Sequence, residues 1–251
     1  MKFYVVTKKQ ITVFLSCALI AVTAVIGTVS VFANNDRKLP IYCVENSKKQ
    51  IAISFDAAWG ADDTDELIKI LGEYKVKATF FVVGAWVDKY PEEVKRLADA
   101  GHRIENHSNS HPHMTKISTE KMVEELRACN EKIASITGRK PILFRPPYGD
   151  YNNAVIETVE SQDMYTIQWS VDSLDWQDSA TAQSIINNVT SKVSDGSIIL
   201  CHNDAEYTPD ALPTILKTLQ DEGYEFVLIE DLIYKKNYTL DHTGKQIPCE
   251  N

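Results

Sequence analysis

Seven short apolar segments alternate with seven helical segments along the chain, and this alternation restricts the fold more than any other feature of the sequence. Apolar runs of four to eight residues between turn signals are typical of buried strands, whereas apolar positions every three or four residues are typical of helices. The predicted strands are 51–55, 78–83, 102–105, 142–144, 165–171, 197–201 and 225–229. The predicted helices are 65–74, 91–100, 119–137, 154–161, 182–193, 212–222 and 231–234. Such alternation predicts parallel strands joined by right-handed crossovers.

Polar residues follow five of the predicted strands, where each strand leads towards its helix. In strand order they are Asp56, Asn106, His107, Arg145, Asp172, Asp175 and His202. An open doubly wound sheet collects its functional residues at one switch point, whereas a barrel takes them from the carboxyl ends of many strands. The sequence therefore predicts an α/β fold, a distorted (β/α) barrel with about seven parallel strands.

The domain organisation is simple. No repeat, low-complexity tract or second core is apparent, so one domain is predicted over residues 51–234. A polar linker, 34–50, precedes it and a C-terminal tail, 235–251, follows it. The protein is expected to be a monomer.

Residues 11–32 form an uncharged apolar run, which Lys2, Lys8 and Lys9 precede. A helix needs ~20 apolar residues to cross a bilayer core, so residues 1–33 are interpreted as a membrane-targeting segment with one hydrophobic helix. The excess of lysine before the run places everything after Asn34 outside the membrane. The length favours an uncleaved anchor, and secretion after cleavage near Ala33 is the alternative.

The overall charge and the cysteines exclude some kinds of site. The formal net charge is -9 at pH 7. Binding to a phosphate backbone needs a basic surface, so nucleic acid is not an expected partner. The four cysteines outside the apolar run show no C-x-x-C spacing, which argues against a thiolate zinc site. Free thiols are the simplest interpretation, and a Cys43–Cys249 disulfide is the alternative.

His107 and His111 stand four residues apart, a spacing that lets both imidazoles reach one metal ion. Two histidines this close are more often surface residues, so the spacing alone is a weak signal. His113 competes for the same role. The first pair is preferred because His107 comes directly after a strand.

Asp56 and Arg145 each follow an apolar strand, where an ionised side chain is costly unless it has a partner. Arg145 precedes Pro-Pro-Tyr-Gly at 146–149, a stiff segment that fixes its position. A structural ion pair is the alternative for these two residues. The alternative for His202 is a core histidine, and that for the two aspartates 172 and 175 is a polar capping loop. Their joint occurrence at strand ends favours a catalytic site.

Five ordered motifs over residues 51–234 resemble the polysaccharide deacetylases of carbohydrate esterase family 4, which share the NodB-homology domain. The motifs are Ser54-Phe55-Asp56, His107-Ser108-Asn109-Ser110-His111, Arg145-Pro146-Pro147-Tyr148-Gly149, Asp172-Ser173-Leu174-Asp175-Trp176 and Leu200-Cys201-His202. The sequence Asp-Ala-Ala-Trp-Gly at 56–60 and the single hydrophobic segment are most similar to the sporulation-associated bacterial branch.

The resemblance implies hydrolysis of N-acetyl groups from the amino sugars of a glycan, with zinc or a similar divalent ion as cofactor. It implies that His107 and His111 bind the metal and that Asp56 is the general base. It further implies that Arg145 orients the base and that the backbone N–H of Tyr148 stabilises the oxyanion. His202 would protonate the leaving amine, and Asp175 would tune the pKa of that histidine. Trp176 and Leu200 would shape the acetyl pocket.

One position departs from the family's pattern. The usual first motif has two adjacent aspartates, and the second of them binds the metal, but here that position is Ala57. Asp62 and Asp63 lie in the same loop. Asp63 is the preferred replacement because Asp62 directly follows the flexible pair Gly60-Ala61.

Two other functions remain open from the sequence. The first is a catalytically impaired glycan-binding or scaffolding protein on the same fold. The second is a barrel glycosidase that uses Asp172 and Asp175 as its carboxylate pair. A glycosidase would release reducing ends, whereas a deacetylase would release acetate. The sequence does not choose between peptidoglycan and a chitin-like substrate.

Overall fold

A computed structural model of the chain describes residues 37–249. From Leu39 onward these residues form one compact unit. Its strands are β1 (Cys43–Val44), β2 (Gln50–Ala57), β3 (Thr79–Val82), β4 (Arg103–Asn106), β5 (Leu143–Phe144), β6 (Tyr165–Thr166), β7 (Val171–Asp172), β8 (Ile198–His202), β9 (Glu225–Phe226), β10 (Tyr238–Leu240) and β11 (Lys245–Pro248). Its α-helices are Thr64–Glu73, Gly84–Lys89, Pro91–Asp99, Thr119–Thr137, Asn153–Ser161, Ala182–Thr190, Thr208–Asp221 and Ile229–Leu232.

The main sheet is a curled half-barrel of parallel strands. Seven strands follow the order β6-β5-β4-β3-β2-β8-β7, and β9 pairs with the start of β2. The two ends of this path, β6 and β7, are consecutive in the sequence and only four residues separate them. A four-residue link spans at most roughly 17 Å, so the sheet must curve until its edges approach each other. The prediction of a distorted (β/α) barrel agrees with this architecture.

Strand β2 is the centre of the sheet. It runs for eight residues, and all but its first residue are buried. Its residues Ile51, Ile53, Phe55 and Ala57 belong to the larger apolar cluster, which includes residues from the surrounding helices. Ser54 and Asp56 alternate with them along the strand, as successive side chains of a strand point to opposite faces. Asp56 is therefore placed on the face of β2 opposite to the larger cluster.

Some elements differ from the sequence predictions. A helix at Gly84–Lys89 was not predicted, and the predicted strand 165–171 is divided into β6 and β7. The division arises because the backbone between them makes other hydrogen bonds: Gln168 N–H donates to Ile41, and Ser170 N–H donates to Ile198.

A second, three-stranded sheet has the order β1-β11-β10. It is built from residues that the sequence assigned to the linker and the tail. Cys43 pairs in register with Lys245, four residues before Cys249. Four residues of strand correspond to roughly 13 Å, which is too far for a disulfide. Both cysteines are free thiols, so the Cys43–Cys249 disulfide is absent from this structure.

The predicted anchor at 11–32 lies outside the described residues. Among residues 37–249, no helix has the length and apolar character needed to span a membrane.

Gly196 connects the two sheets through backbone hydrogen bonds. Its N–H donates to Gln50, its carbonyl accepts from Val44 N–H, and its φ is +78°. A Cβ at this position would overlap the Val44 carbonyl oxygen. We expect Gly196→Ala to lower the free energy of unfolding by at least ~2 kcal/mol, because left-handed backbone and the overlap both add cost.

Gly72 provides the matched control, because it lies in a helix and a Cβ there would meet nothing within 4 Å. Gly72→Ala should raise stability by ~0.5–1 kcal/mol through helix propensity. Urea unfolding of both variants measures the difference. Equal stability of the two variants would contradict the proposed junction.

Candidate active site

A cavity of about 650 Å³ opens at the carboxyl ends of the parallel strands. Its lining includes residues from β2, from the loop after β4, from the end of β7 and from β8. The lining residues that the sequence analysis selected are Asp56, His107, His111, Tyr148, Asp172, Asp175, Trp176, Leu200 and His202. The fold thus brings residues from five separated motifs to one cavity.

Arg145 and Asp56 form a buried ion pair. The Arg145 side chain is fully buried, and its Nη1 donates to Asp56 Oδ1 at 2.7 Å. Its Nη2 donates to the carbonyl of Gln168 at 3.2 Å. Burial raises the pKa of Asp56, but the charge of Arg145 and the neighbouring His107 outweigh burial and hold the pKa below its ordinary value. Asp56 is therefore an ionised carboxylate.

His107 is held with a defined tautomer. Its Nδ1 lies 2.7 Å from the carbonyl oxygen of Arg145. A carbonyl only accepts hydrogen bonds, so Nδ1 carries the proton and Nε2 presents a lone pair. That Nε2 lies 3.6 Å from Asp56 Oδ2. Metal-binding histidines commonly donate their second ring N–H in this way.

The second imidazole lies beside the first, with 5.0 Å between the ring centroids of His107 and His111. Burial, together with the neighbouring His107, lowers the pKa of His111 to about 4. Burial also lowers the pKa of His107. Both rings are therefore neutral near pH 7, the state that a metal ligand requires.

Helix Thr119–Thr137 holds the loop that carries the two histidines, through the side chain of Glu125. The buried carboxylate of Glu125 accepts from the N–H groups of Asn109 and Ser110, at 2.9 and 2.7 Å. Ser108 Oγ accepts from His111 N–H at 3.0 Å, and His111 has a φ of +59°. These bonds hold His111 in a backbone conformation that non-glycine residues rarely adopt.

His113 has a different environment. Its side chain is 44% exposed and its ring stacks on Tyr148 with centroids 4.2 Å apart. His113 Nδ1 lies 3.5 Å from Asp150 Oδ2, and the residue is not part of the cavity lining.

Asp63 does not line the cavity in this structure. Its Oδ2 accepts from Asp204 N–H at 2.8 Å, and burial raises its pKa to about 6. Ala57, at the family's usual ligand position, is fully buried in the larger apolar cluster. Within residues 37–249, no three or more His, Cys, Asp or Glu side chains are grouped so as to hold a metal ion. A metal role for Asp63 thus remains a prediction.

His202 and Asp175 form the second polar pair of the cavity. His202 Nδ1 lies 2.7 Å from Asp175 Oδ1. The other oxygen, Oδ2, accepts from His202 N–H and from Thr208 Oγ1, both at 2.8 Å. Burial alone would lower the pKa of His202, but the hydrogen bond and charge of Asp175 raise it above its ordinary value. This environment favours the protonated imidazolium.

Three exposed aromatic side chains surround the cavity: Trp59, Tyr148 and Trp176 are 56%, 63% and 56% exposed. Leu200 lines the same cavity but is buried. Other residues also line the cavity, although no role is predicted for them from the sequence: Trp59, Trp169 and the loop 203–207. The signal for Trp59 was its place two residues after the end of a buried strand that carries Asp56.

Comparisons with known proteins identify relatives of this chain. A family model described as polysaccharide deacetylase matches residues 44–167. A peptidoglycan-N-acetylglucosamine deacetylase of Bacillus cereus is 35% identical over 199 residues, which cover 77% of this chain and 92% of that protein. The peptidoglycan-N-acetylmuramic acid deacetylase PdaC of Bacillus subtilis is 35% identical, over 75% of this chain and 40% of PdaC. Several relatives are longer, and the match spans 40% to 60% of their length.

The chain is also similar to a solved structure of a wild-type family 4 pseudoenzyme from Bacillus anthracis. That similarity has a TM-score of 0.75 and 30% identity, and it covers 83% of this chain and 70% of that one. A mutant of the same protein, with the same TM-score, is described as having restored enzymatic activity.

The environments of the three histidines generate a metal-binding prediction. We expect His107→Ala and His111→Ala each to weaken zinc binding by at least ~10-fold, because loss of an outer-shell partner alone costs 10–100-fold. His113→Ala is the matched control and should bind zinc like the wild type. Zinc titration of the three purified variants measures this. If His113→Ala loses zinc and His107→Ala does not, the pairing is wrong.

Proposed function

Because the chain belongs to the polysaccharide deacetylase family, we propose that it hydrolyses N-acetyl groups from the amino sugars of a cell-envelope glycan such as peptidoglycan. The observation that carries this proposal is that one cavity holds two groups whose pKa values are shifted in opposite directions. Asp56 is held as a carboxylate by Arg145, and His202 is held towards the imidazolium by Asp175. Amide hydrolysis needs a base for water and an acid for the leaving nitrogen.

The proposed division of proton transfer follows from the hydrogen bonds. Arg145 occupies Asp56 Oδ1, so Oδ2 is the oxygen that accepts a proton from the attacking water. Asp175 occupies His202 Nδ1, so Nε2 is the nitrogen that donates a proton to the leaving amine. Asp56 and His202 are register partners on adjacent strands, which places the base and the acid side by side.

The substrate's developing oxyanion needs hydrogen-bond donors. We assign the backbone N–H of Tyr148 to this role, because Tyr148 lines the cavity and its ring meets that of His111 edge-on, with centroids 4.6 Å apart. Trp176 and Leu200 complete the proposed acetyl pocket.

Two neutral imidazoles in one cavity are suitable ligands for a divalent metal, and zinc is the proposed ion. His107 and His111 would hold it through ring nitrogens that are neutral near pH 7. Asp63 is the proposed third ligand: its Oδ2 accepts from Asp204 N–H, and its Oδ1 has no hydrogen-bond partner within residues 37–249 and is the oxygen proposed to bind the ion. The ion, when bound, supplies Lewis-acid polarisation of the carbonyl and activation of water.

The cellular setting is also a proposal. The apolar run 11–32 would anchor a monomeric enzyme at the outer face of the membrane, or direct secretion after cleavage near Ala33. There it would meet its glycan substrate. Because the motif at 56–60 is most similar to the sporulation-associated branch, we also propose a role in sporulation.

A second candidate function is a glycan-binding protein with impaired catalysis. Two observations favour it: Ala57 occupies a usual ligand position, and the chain is structurally similar to a family 4 pseudoenzyme.

Acetate release tests the proposed function directly. The purified chain is incubated with peptidoglycan and with chitooligosaccharides, with added zinc or with a chelator. We expect acetate and free amines that depend on zinc. Glycan binding without acetate would favour the second candidate, and new reducing ends would indicate a glycosidase.

The assigned proton roles of Asp56 and His202 predict different substrate dependence. Asp56→Asn should lose ~10²–10⁴-fold in kcat on both amide and activated ester substrates, because asparagine accepts no proton from water. His202→Ala should lose more on the amide than on the activated ester, whose leaving group needs no proton. Steady-state kinetics on both substrates measure the effect. Equal losses on the two substrates in both variants would contradict the assignment.

The proposed third ligand predicts a difference between adjacent aspartates. Asp63→Ala should abolish tight zinc binding, because two neutral imidazoles leave the charge of the ion uncompensated. Asp62→Ala, the matched control, should leave zinc affinity unchanged. Zinc titration measures both, and Ala57→Asp is expected to restore affinity to the Asp63→Ala variant. Undiminished affinity in Asp63→Ala would defeat the proposal.

A further inference from the structure

Trp59 is an exposed aromatic residue at the cavity without a role in the reaction described above. Among the described residues, the exposed large apolar side chains are Trp59, Tyr148 and Trp176, and all three line the same cavity. Exposure of a large aromatic surface is unfavourable in water unless a ligand covers it. The concentration of this surface at one cavity points to a ligand that has apolar faces.

Trp59 lies next to both imidazoles that flank the proposed reaction centre. Its ring centroid is 6.5 Å from that of His111 and 5.8 Å from that of His202. The interplanar angles are 57° and 53°, so the indole is stacked flat on neither ring. A ligand bound at these two histidines therefore lies close to the indole.

The backbone next to Trp59 is firmly held. The carbonyl of Gly60 accepts from Trp86 Nε1 at 2.8 Å and from the side-chain amide of Asn203. A Cβ at Gly60 would overlap the Asp204 carboxylate, so the two loops pack closely here. The backbone next to Trp59 therefore needs no ordering when a ligand binds, which lowers the entropic cost of the contact.

The rest of the lining indicates the chemistry of the ligand. Six carboxylates share the cavity with the aromatic residues: Asp56, Asp172, Asp175, Asp178, Asp204 and Glu206. An apolar or anionic lipid surface would be opposed by these charges. A sugar has hydroxyl groups that donate to carboxylates and a ring face of C–H groups that packs on an indole.

We propose that Trp59 binds the glycan by stacking on a sugar ring at the cavity, beside the unit whose N-acetyl group is removed. This inference rests on the proposed function for the identity of the ligand. Trp59 is thus a substrate-binding residue, and its contribution is to affinity for the glycan chain.

Calorimetric binding of chitotetraose to the full chain in detergent tests this role. A chelator is present so that the glycan is not consumed. Trp59→Ala should raise Kd about tenfold, which corresponds to the loss of one aromatic stacking contact. Trp59→Phe keeps an aromatic face and should stay within ~3-fold of the wild type.

Tyr224→Ala is the matched control, because it also removes one partly exposed aromatic ring. Tyr224 precedes β9, which pairs with the start of β2 at the opposite end from Asp56. This variant should bind chitotetraose like the wild type. Equal melting temperatures of the variants show that the fold is kept.

Each outcome decides the inference. Three results would overturn stacking. They are unchanged affinity for chitotetraose in Trp59→Ala, no binding by the wild type, and equal losses of affinity in Trp59→Ala and Trp59→Phe. Acetate release by the wild type is measured separately. Binding that depends on Trp59 without acetate release would reject the proposed deacetylase activity and keep the glycan-binding role. Acetate release by the wild type, with unaltered affinity in Trp59→Ala, would keep the deacetylase activity and reject the stacking role of Trp59.

Discussion

Arg145 is fully buried and contacts three neighbouring residues through its side chain and its backbone carbonyl. It holds Asp56 through Nη1, its backbone carbonyl fixes the tautomer of His107, and its cationic face lies 4.2 Å from the ring centroid of Phe81. An isolated buried charge would cost several kcal/mol, so the partners of this arginine are needed for the fold as well as for the chemistry. Removal of the Arg145 side chain would leave Asp56 as an uncompensated carboxylate, whereas the backbone carbonyl that holds His107 would remain. The proposed base and a proposed metal ligand are therefore both positioned by one residue.

Much of the fold follows from local signals in the sequence. The helix predicted at 119–137 has the same bounds in the structure, because Ser118 caps its first turn and Gly138, with a φ of +69°, ends it. Between these signals its apolar side chains recur at helical spacing. The division of the predicted strand 165–171 had no local signal. It depends on hydrogen bonds to Ile41 and Ile198, which are distant in the sequence.

The candidate site shows the same limit. The pairing of Asp56 with Arg145 was predictable because two ionised residues followed apolar strands and each needed a partner. The surroundings of Asp63 were not, since its carboxylate binds the N–H of Asp204 in a loop from the other half of the chain. The same loop, through Asn203, also holds Gly60. Spacing in one segment predicts which residues can act, whereas contacts between loops decide where they point.

The register of β2 and β8 has a consequence for how the site forms. These strands pair Asp56 with His202, although the two residues come from opposite ends of the domain. Contacts so distant in the sequence are slow to form, because the intervening chain must first be ordered. The proposed base and the proposed acid therefore meet only when β2 and β8 have paired. A chain that emerges gradually during synthesis therefore has Asp56 and His202 apart until β8 has paired with β2.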